Sequence, residues 1–320
     1  MPEKEGFRCR IPLHLAGKRL DQALAELLPE YSRARLQHWI RTGEIAVEGR
    51  VMRPRDQVFG GEWVSGQWQS VEETAAVPQA IPLDIRFADT DIVVVNKPAG
   101  LVVHPAAGNR DGTLVNALLN YAPELASLPR AGIVHRLDKD TSGLLVVARS
   151  LRAHAALVQQ LQTRSMGREY LALVNGVMTS GGTIDAPIGR HPVDRKRMAV
   201  VAGGKMALTH YRVQQRFRAH TLLHVKLATG RTHQIRVHMA HIHYPLVGDP
   251  VYGGRSRIAE RVSAGLRAYL QRFKRQALHA ARLELSHPKS GERLSWQVEP
   301  PSDFQHLIAV LTKDLSEYHD

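Results

Sequence analysis

The residues best placed to do chemistry lie in GIVHRLDKDTSGLLVVA, residues 132–148. Here His135 and Arg136 precede an aspartate, Asp138, and apolar runs close the segment on both sides. A carboxylate at such a boundary can be held partly buried and still face a cleft. Arginines beside it keep it ionised, fit to serve as a nucleophile or a base. The competing reading is an Asp tied in a turn or capping a helix. Other patterns offer less. DKDTSG, residues 138–143, copies the start of a calcium loop. Its twelfth position, where that loop needs a bidentate glutamate, is Arg149. As the phosphoaspartate run of a phosphohydrolase it lacks an apolar strand just before Asp138, and the later GDPVYGG offers only Asp249 to hold magnesium. His238, His241 and His243, with His233 upstream, have spacings that could bind zinc. The nearest acid to them is again Asp249, so phosphate-facing or structural histidines are expected, and no metal. There is no P-loop, no GxGxxG opening a helix and no Gly-x-Ser-x-Gly elbow, so no nucleotide cofactor is expected.

The chain that must position these residues has 320 of them, with 43 Lys and Arg against 30 Asp and Glu, a net charge of +13. At about 150 residues per domain this suits roughly two domains. An apolar content of 43% can build a real core and excludes a wholly disordered chain, a collagen or a coiled coil. Cys9 is the single cysteine, so neither an internal disulfide nor a cysteine-ligated zinc site can form. The start, MPEKEGFRCR, lacks the apolar stretch of a secretory signal, and no apolar run is long enough to span a bilayer. A cytoplasmic protein with no membrane contact and a polyanionic partner is expected.

Residues 1–70 read as a small helix-hairpin unit. RLDQALAELL sets Leu20, Ala23, Leu24, Leu27 and Leu28 in one helical stripe, and Pro29 stops it. Ser32 can cap a second helix carrying Leu36, Trp39 and Ile40 inward, with Gly43 at its end. IAVEG and RVMRP around Glu48–Gly49 suggest a hairpin. Between Arg33 and Arg55 stand six arginines against two glutamates. Arg33, Arg35, Arg41, Arg50 and Arg53 are therefore expected to meet phosphates.

Residues 71–82, with two prolines and no periodicity, read as a linker. Residues 83–320 form the larger domain. Its runs are short and valine-rich (IVVVNKP, LLVVAR, YLALVNG, LLHVKLA), and few helices separate them. TLVNALLNYA, LRAHAALVQQLQ and the stretch from Ser302 to Tyr318 are the good helical patterns. This predicts an α+β fold with a mainly antiparallel mixed sheet, not a doubly wound parallel one. From Ile188 to Arg236 there are 11 Lys and Arg and one acid, Asp194, which suits a groove for nucleic acid.

At this point the motifs meet a known pattern. Residues 132–148 resemble the signature of the RluA family of pseudouridine synthases, HRLD followed by a Thr/Ser-Gly pair. REYLALVNG (168–176) is similar to its second motif and ATGRTHQIRVHMAHIHYPLVGDPVYGG (228–254) to its third. VNKPAGLVVHP (95–105) also matches, and the N-terminal unit resembles the small alpha-L RNA-binding domain of many members. The likeness covers nearly the whole chain and is greatest to the branch acting on large-subunit (23S) ribosomal RNA. It implies a site-specific uridine isomerase without cofactor, working as a monomer on that RNA or on the large-subunit precursor. Asp138 would be the essential aspartate and Asp140 structural. Arg136 would fill the space of the flipped base, Tyr170 would stack on the uracil, and Arg231 would pair with the aspartate. His135, Thr232, His233, Gln234 and Arg236 would contact substrate. Ser142 stands where threonine is also common. Two rivals make different demands. An inert RNA-docking protein would carry a damaged HRLD run, and this one is intact; a phosphohydrolase would depend on metal.

Overall fold

The computed structural model describes residues 4–28, 33–69, 76–105, 108–253 and 262–319. The chain divides into two compact units, Met1–Ala75 and Ala76–Asp320. The first contains β1 (Lys4–Arg10), α1 (Leu20–Leu27), α2 (Arg33–Thr42), β2 (Ile45–Val47) and β3 (Trp63–Gln69). The apolar stripe of α1 (Leu20, Ala23, Leu24) packs with Leu36, Trp39 and Ile40 of α2 over Ile45 and Val64 of the sheet. Gly43, at φ 83°, takes the left-handed conformation that ends α2. The expected stop and cap, Pro29 and Ser32, lie outside the described residues.

The expected hairpin forms only in its turn. Glu48 and Gly49 have the two positive φ values of a tight turn, but Arg50 meets Val47 in a single bridge. Beyond it the chain cannot run on as a strand. Pro54 has no N–H to give, and the Asp56 carboxylate takes the Arg53 N–H at 2.7 Å to close another turn. The partner of β2 is instead β3, which pairs antiparallel with β1 on its other edge.

The second unit runs β4 (Asp84–Ala88), β5 (Ile92–Lys97), α3 (Leu114–Tyr121), β6 (Ser142–Ala148), α4 (Leu151–Gln162), β7 (Gly167–Asn175), β8 (Gly182–Asp185), β9 (Ile188–Arg190) and β10 (Met198–Val200). It continues with β11 (Leu208–Arg216), β12 (His220–Leu227), α5 (Gln234–His241), α6 (Ala264–Arg272), β13 (Leu278–Ser286), β14 (Arg293–Gln297) and α7 (Ser302–His319). Nine strands make one sheet in the order β4-β5-β6-β13-β7-β12-β11-β8, with β14 also on β13. Among the described residues, only β6 and β13 pair in parallel. Residues 76–83, at the end of the expected linker, have no regular structure yet are fastened to this unit. Asn116 donates to the Val77 carbonyl at 2.9 Å, and Gly112 donates to the Gln79 side chain at 2.7 Å.

Both faces of the sheet are covered. Val93 and Val95 of β5 face a core shared with α3, while Ile92 and Val94 face one shared with α4. Phe304, Leu307 and Leu311 of α7 pack with Leu173 of β7 and Leu222 of β12. Burial on both sides is why these strands read as unbroken valine runs and not as alternating ones.

Candidate active site

Asp138 stands in the loop that leads into β6, and four fastenings fix that loop. Lys97, wholly buried at the end of β5, donates to the Lys139 carbonyl at 2.9 Å and to the carbonyls of Pro98 and Leu101. Its three donors meet three acceptors, the complement of an ammonium group. Burial pushes Lys97 down to about 7, and the charges of Asp140 and Asp138 pull it back up. From the other side, Arg275 donates to the Asp140 carbonyl at 3.3 Å and Gln276 to the Thr141 hydroxyl at 3.1 Å. Ser142 shares a hydrogen bond of 2.9 Å with His279. Gly143 then lets β6 approach β13: its φ is 111°, and a Cβ there would stand 2.2 Å from the Ala280 carbonyl oxygen.

Asp138 is 15% exposed, and one of its oxygens is engaged: Arg236 Nη1 donates to Oδ2 at 2.9 Å. The other, Oδ1, accepts no hydrogen bond among the described residues and lies 3.8 Å from His233 Nε2. Arg236 comes from the first turn of α5 and is held from behind by Asp249. Nε and Nη2 donate to its two oxygens at 2.7 and 2.8 Å, and Tyr252 covers the guanidinium at 5.0 Å. Asp249 also accepts from the backbone of Val251 and Tyr252. Burial opposes the charge on both partners of this pair, but their mutual hydrogen bonds outweigh it, lowering Asp249 and raising Arg236. The result is a cation with two carboxylates, oriented by the inner one and presented to Asp138.

Arg231, expected to pair with the aspartate, makes no ion pair with it in the structure. It is exposed, and its Nε donates to the Met206 carbonyl at 3.1 Å. It precedes the left-handed residue His233 (φ 57°) that opens α5, whereas His233 and Arg236 reach the aspartate. Gln234 is likewise committed elsewhere. It is buried, accepts from the Thr229 hydroxyl and the Arg231 N–H, and donates to Leu208 and Thr209, which leaves it no free donor for a substrate. His135 accepts from the Val146 N–H at 3.2 Å, and burial, reinforced by the Arg168 charge, pushes it down to about 3. It is a neutral brace of β6. His233 shares a 2.8 Å hydrogen bond with the Tyr252 hydroxyl, and burial holds it below the usual histidine range despite Asp138. Thr232 is half-buried beside it, and Arg136 is exposed. His238, the centre of the possible zinc cluster, is buried with both nitrogens taken, by Thr209 at 2.8 Å and the Ala186 carbonyl at 2.9 Å.

Tyr170 is buried in the middle of β7, between Val225 of β12 and Ala280 of β13. Burial raises its phenol, with the Asp138 charge adding and that of Arg168 opposing, so it stays neutral with a hydroxyl to give. In the first unit, Arg41, Arg50 and Arg53 are exposed. Arg33 is engaged: with Arg19 and Gln37 it surrounds the buried Asp21, at 2.8 Å from its Oδ2. Arg35 lies on α2, its side chain outside the described residues.

A buried sheet thus presents Asp138 with one oxygen unbonded among the described residues, a guanidinium behind it and a buried tyrosine whose phenol feels its charge. The family of RNA pseudouridylate synthases matches over residues 91–241, which include Asp138, Tyr170 and Arg236. The chain belongs to this family. It is 58% identical over 304 residues to ribosomal large subunit pseudouridine synthase D of Pseudomonas aeruginosa, covering 95% of each chain. To the protein of the same name from Escherichia coli K12 it is 54% identical over 305 residues, covering 95% of this chain and 94% of that one. Among solved structures, human RNA pseudouridylate synthase domain containing 4 superposes with a TM-score of 0.56 at 28% identity, over 71% of this chain and 92% of the other.

Proposed function

We propose that this chain isomerises uridine to pseudouridine at specific sites of large-subunit (23S) ribosomal RNA, with Asp138 as the nucleophile. The observation that carries the reading is Asp138 Oδ1, unbonded among the described residues, in a fixed loop and on a carboxylate whose charge reaches Tyr170, within a chain so similar to enzymes of that name. The reaction detaches uracil at N1, turns it and rejoins it through C5. Atoms and electrons are conserved, so a carboxylate, a snug pocket and a route for the C5 proton suffice. Reaching the base means flipping it, which costs a few kcal/mol in a duplex and least in a loop. Exposed Arg136 fills the vacancy, and Tyr170 receives the ring. Arg236 takes the part first expected of Arg231: it holds and aims Asp138. The first unit docks on phosphates through Arg41, Arg50 and Arg53. The protein acts in the cytoplasm as a monomer, on ribosomal RNA or the large-subunit precursor, without a nucleotide cofactor. No helix among the described residues is long and apolar enough to cross a membrane.

The test is a map of pseudouridines in large-subunit RNA from a strain lacking the gene. Specific sites should revert to uridine, return with the wild-type gene and stay absent with Asp138→Asn. A map identical to that of the parent strain would contradict the proposal.

A further inference from the structure

Arg168 lies two residues before Tyr170 on β7, and the period of a strand turns both side chains to one face. It is 7% exposed, yet its guanidinium makes no hydrogen bond and no ion pair among the described residues, and its Nε is wholly enclosed. Buried arginines are ordinarily paired, because an uncompensated buried charge is costly. Gly230, in the turn before α5, closes over it: a Cβ there would stand 2.5 Å from Nη1. Its charge acts to lower both His135 and Tyr170. Both are neutral, so neither is a counter-ion. The nearby acids are spoken for: Glu169 is bound to His224 and Arg282, and Glu284 to Arg282 and Arg293.

The geometry points to Arg168 as the cation that takes up the negative charge developing on uracil as its bond to ribose breaks. This rests on the reading of Asp138 and Tyr170 given above. The charges of Asp138 and Arg168 both reach the Tyr170 phenol. A base stacked there feels both the carboxylate and the guanidinium. When the C1′–N1 bond breaks, its electron pair stays on N1 and spreads to O2 and O4, while Asp138 meets the electron deficiency left on the sugar. Arg168 then donates to a carbonyl oxygen without breaking an existing contact, which is what makes a preorganised donor effective. Bond formation from C5 to C1′ uses the pair again. The C5 proton leaves, N1 gains one, and Arg168 is released.

The test uses the full chain with Arg168→Gln, Arg168→Lys and Arg168→Met. Single-turnover rates of glycosidic-bond cleavage are measured on a ribosomal stem-loop carrying uridine or 5-fluorouridine at the target. Fluorine stabilises the departing base anion, so that base needs the cation less. Arg168→Gln should slow uridine by about 100-fold, the size expected for a lost charge-stabilising donor, and 5-fluorouridine by about tenfold less. RNA affinity and its salt dependence should stay as in the wild type, and Arg168→Lys should recover part of the rate. Arg168→Met should be as slow as Arg168→Gln but melt higher, because it removes an unpaired buried charge. Equal slowing on both substrates with a lowered melting temperature would make Arg168 structural and overturn the inference. An intact rate with weakened, less salt-dependent binding would assign it to a phosphate and also overturn it. Asp138→Asn, run in parallel, separates a failure of the Asp138 assignment from a failure of this one.

Discussion

The aspartate of the HRLD run is legible in the sequence because one short segment joins it to its apolar supports. Its cation is not, because two arginines, Arg231 and Arg236, sit within the third motif, and the turn at His233 lies between them. The resemblance pointed to Arg231, and packing brings Arg236 to Asp138, fixed by a second carboxylate at Asp249 that lies 13 residues on. Arg168 escaped notice because an arginine on a strand reads as solvated until its burial is known. These placements separate two variants. Arg236→Gln leaves Asp249 buried without its partner, so it should cost about 3–5 kcal/mol of stability and suppress pseudouridine formation. Arg231→Gln should leave both stability and single-turnover rate near the wild type, with at most weaker RNA binding. Denaturant melts and single-turnover assays of the two proteins check this, and a larger loss in Arg231→Gln would restore the first assignment.

The helices with strong apolar periodicity, α1 to α4 and α7, were readable, as was the antiparallel bias of the sheet, because short valine runs without intervening helices admit little else. The strand β1 and its pairing with β3 were not, since their partners are some 60 residues apart and hairpin rules look only at neighbours. Nor was α5 readable: its first six residues are all buried, so polar and apolar positions show no stripe. The elements that aim Asp138 meet at Gly143, where β6 and β13 touch. Gly143→Ala would place a methyl 2.2 Å from a backbone oxygen at a φ of 111°. It should cost at least about 2 kcal/mol and reduce activity further than stability alone explains, because the shift reaches the loop carrying Asp138. Paired thermal melts and rate measurements below the melting range check it.

For the whole molecule, charge dominates. With net +13 and exposed Arg41, Arg50 and Arg53 on the first unit, changing those three to Gln should weaken RNA binding and make it less salt-dependent. Each lost phosphate contact should reduce the slope of log affinity against log salt by about 0.7–0.9. An unchanged slope would show that this unit does not touch RNA. Stability should fall on acidification in two stages. Burial pushes His220 and His279 down to about 4, so between about 6.5 and 4 the unfolded chain binds more protons than the folded one, and stability declines as pH drops. Below about 4, Asp21 and Asp249, both lowered by their arginines despite burial, lose their ion pairs and the decline steepens. Urea melts from pH 7 to 3 measure this, and a flat profile above pH 4 would contradict the burial of the histidines. The most direct measurement of the central claim is single-turnover pseudouridine formation on a ribosomal stem-loop by Asp138→Asn and Asp140→Asn. Asp138→Asn should fold, bind the RNA about as tightly as the wild type and form no detectable pseudouridine, with no rescue by magnesium or zinc. Asp140→Asn should retain measurable activity. Substantial pseudouridine formation by Asp138→Asn would mean that the nucleophile lies elsewhere.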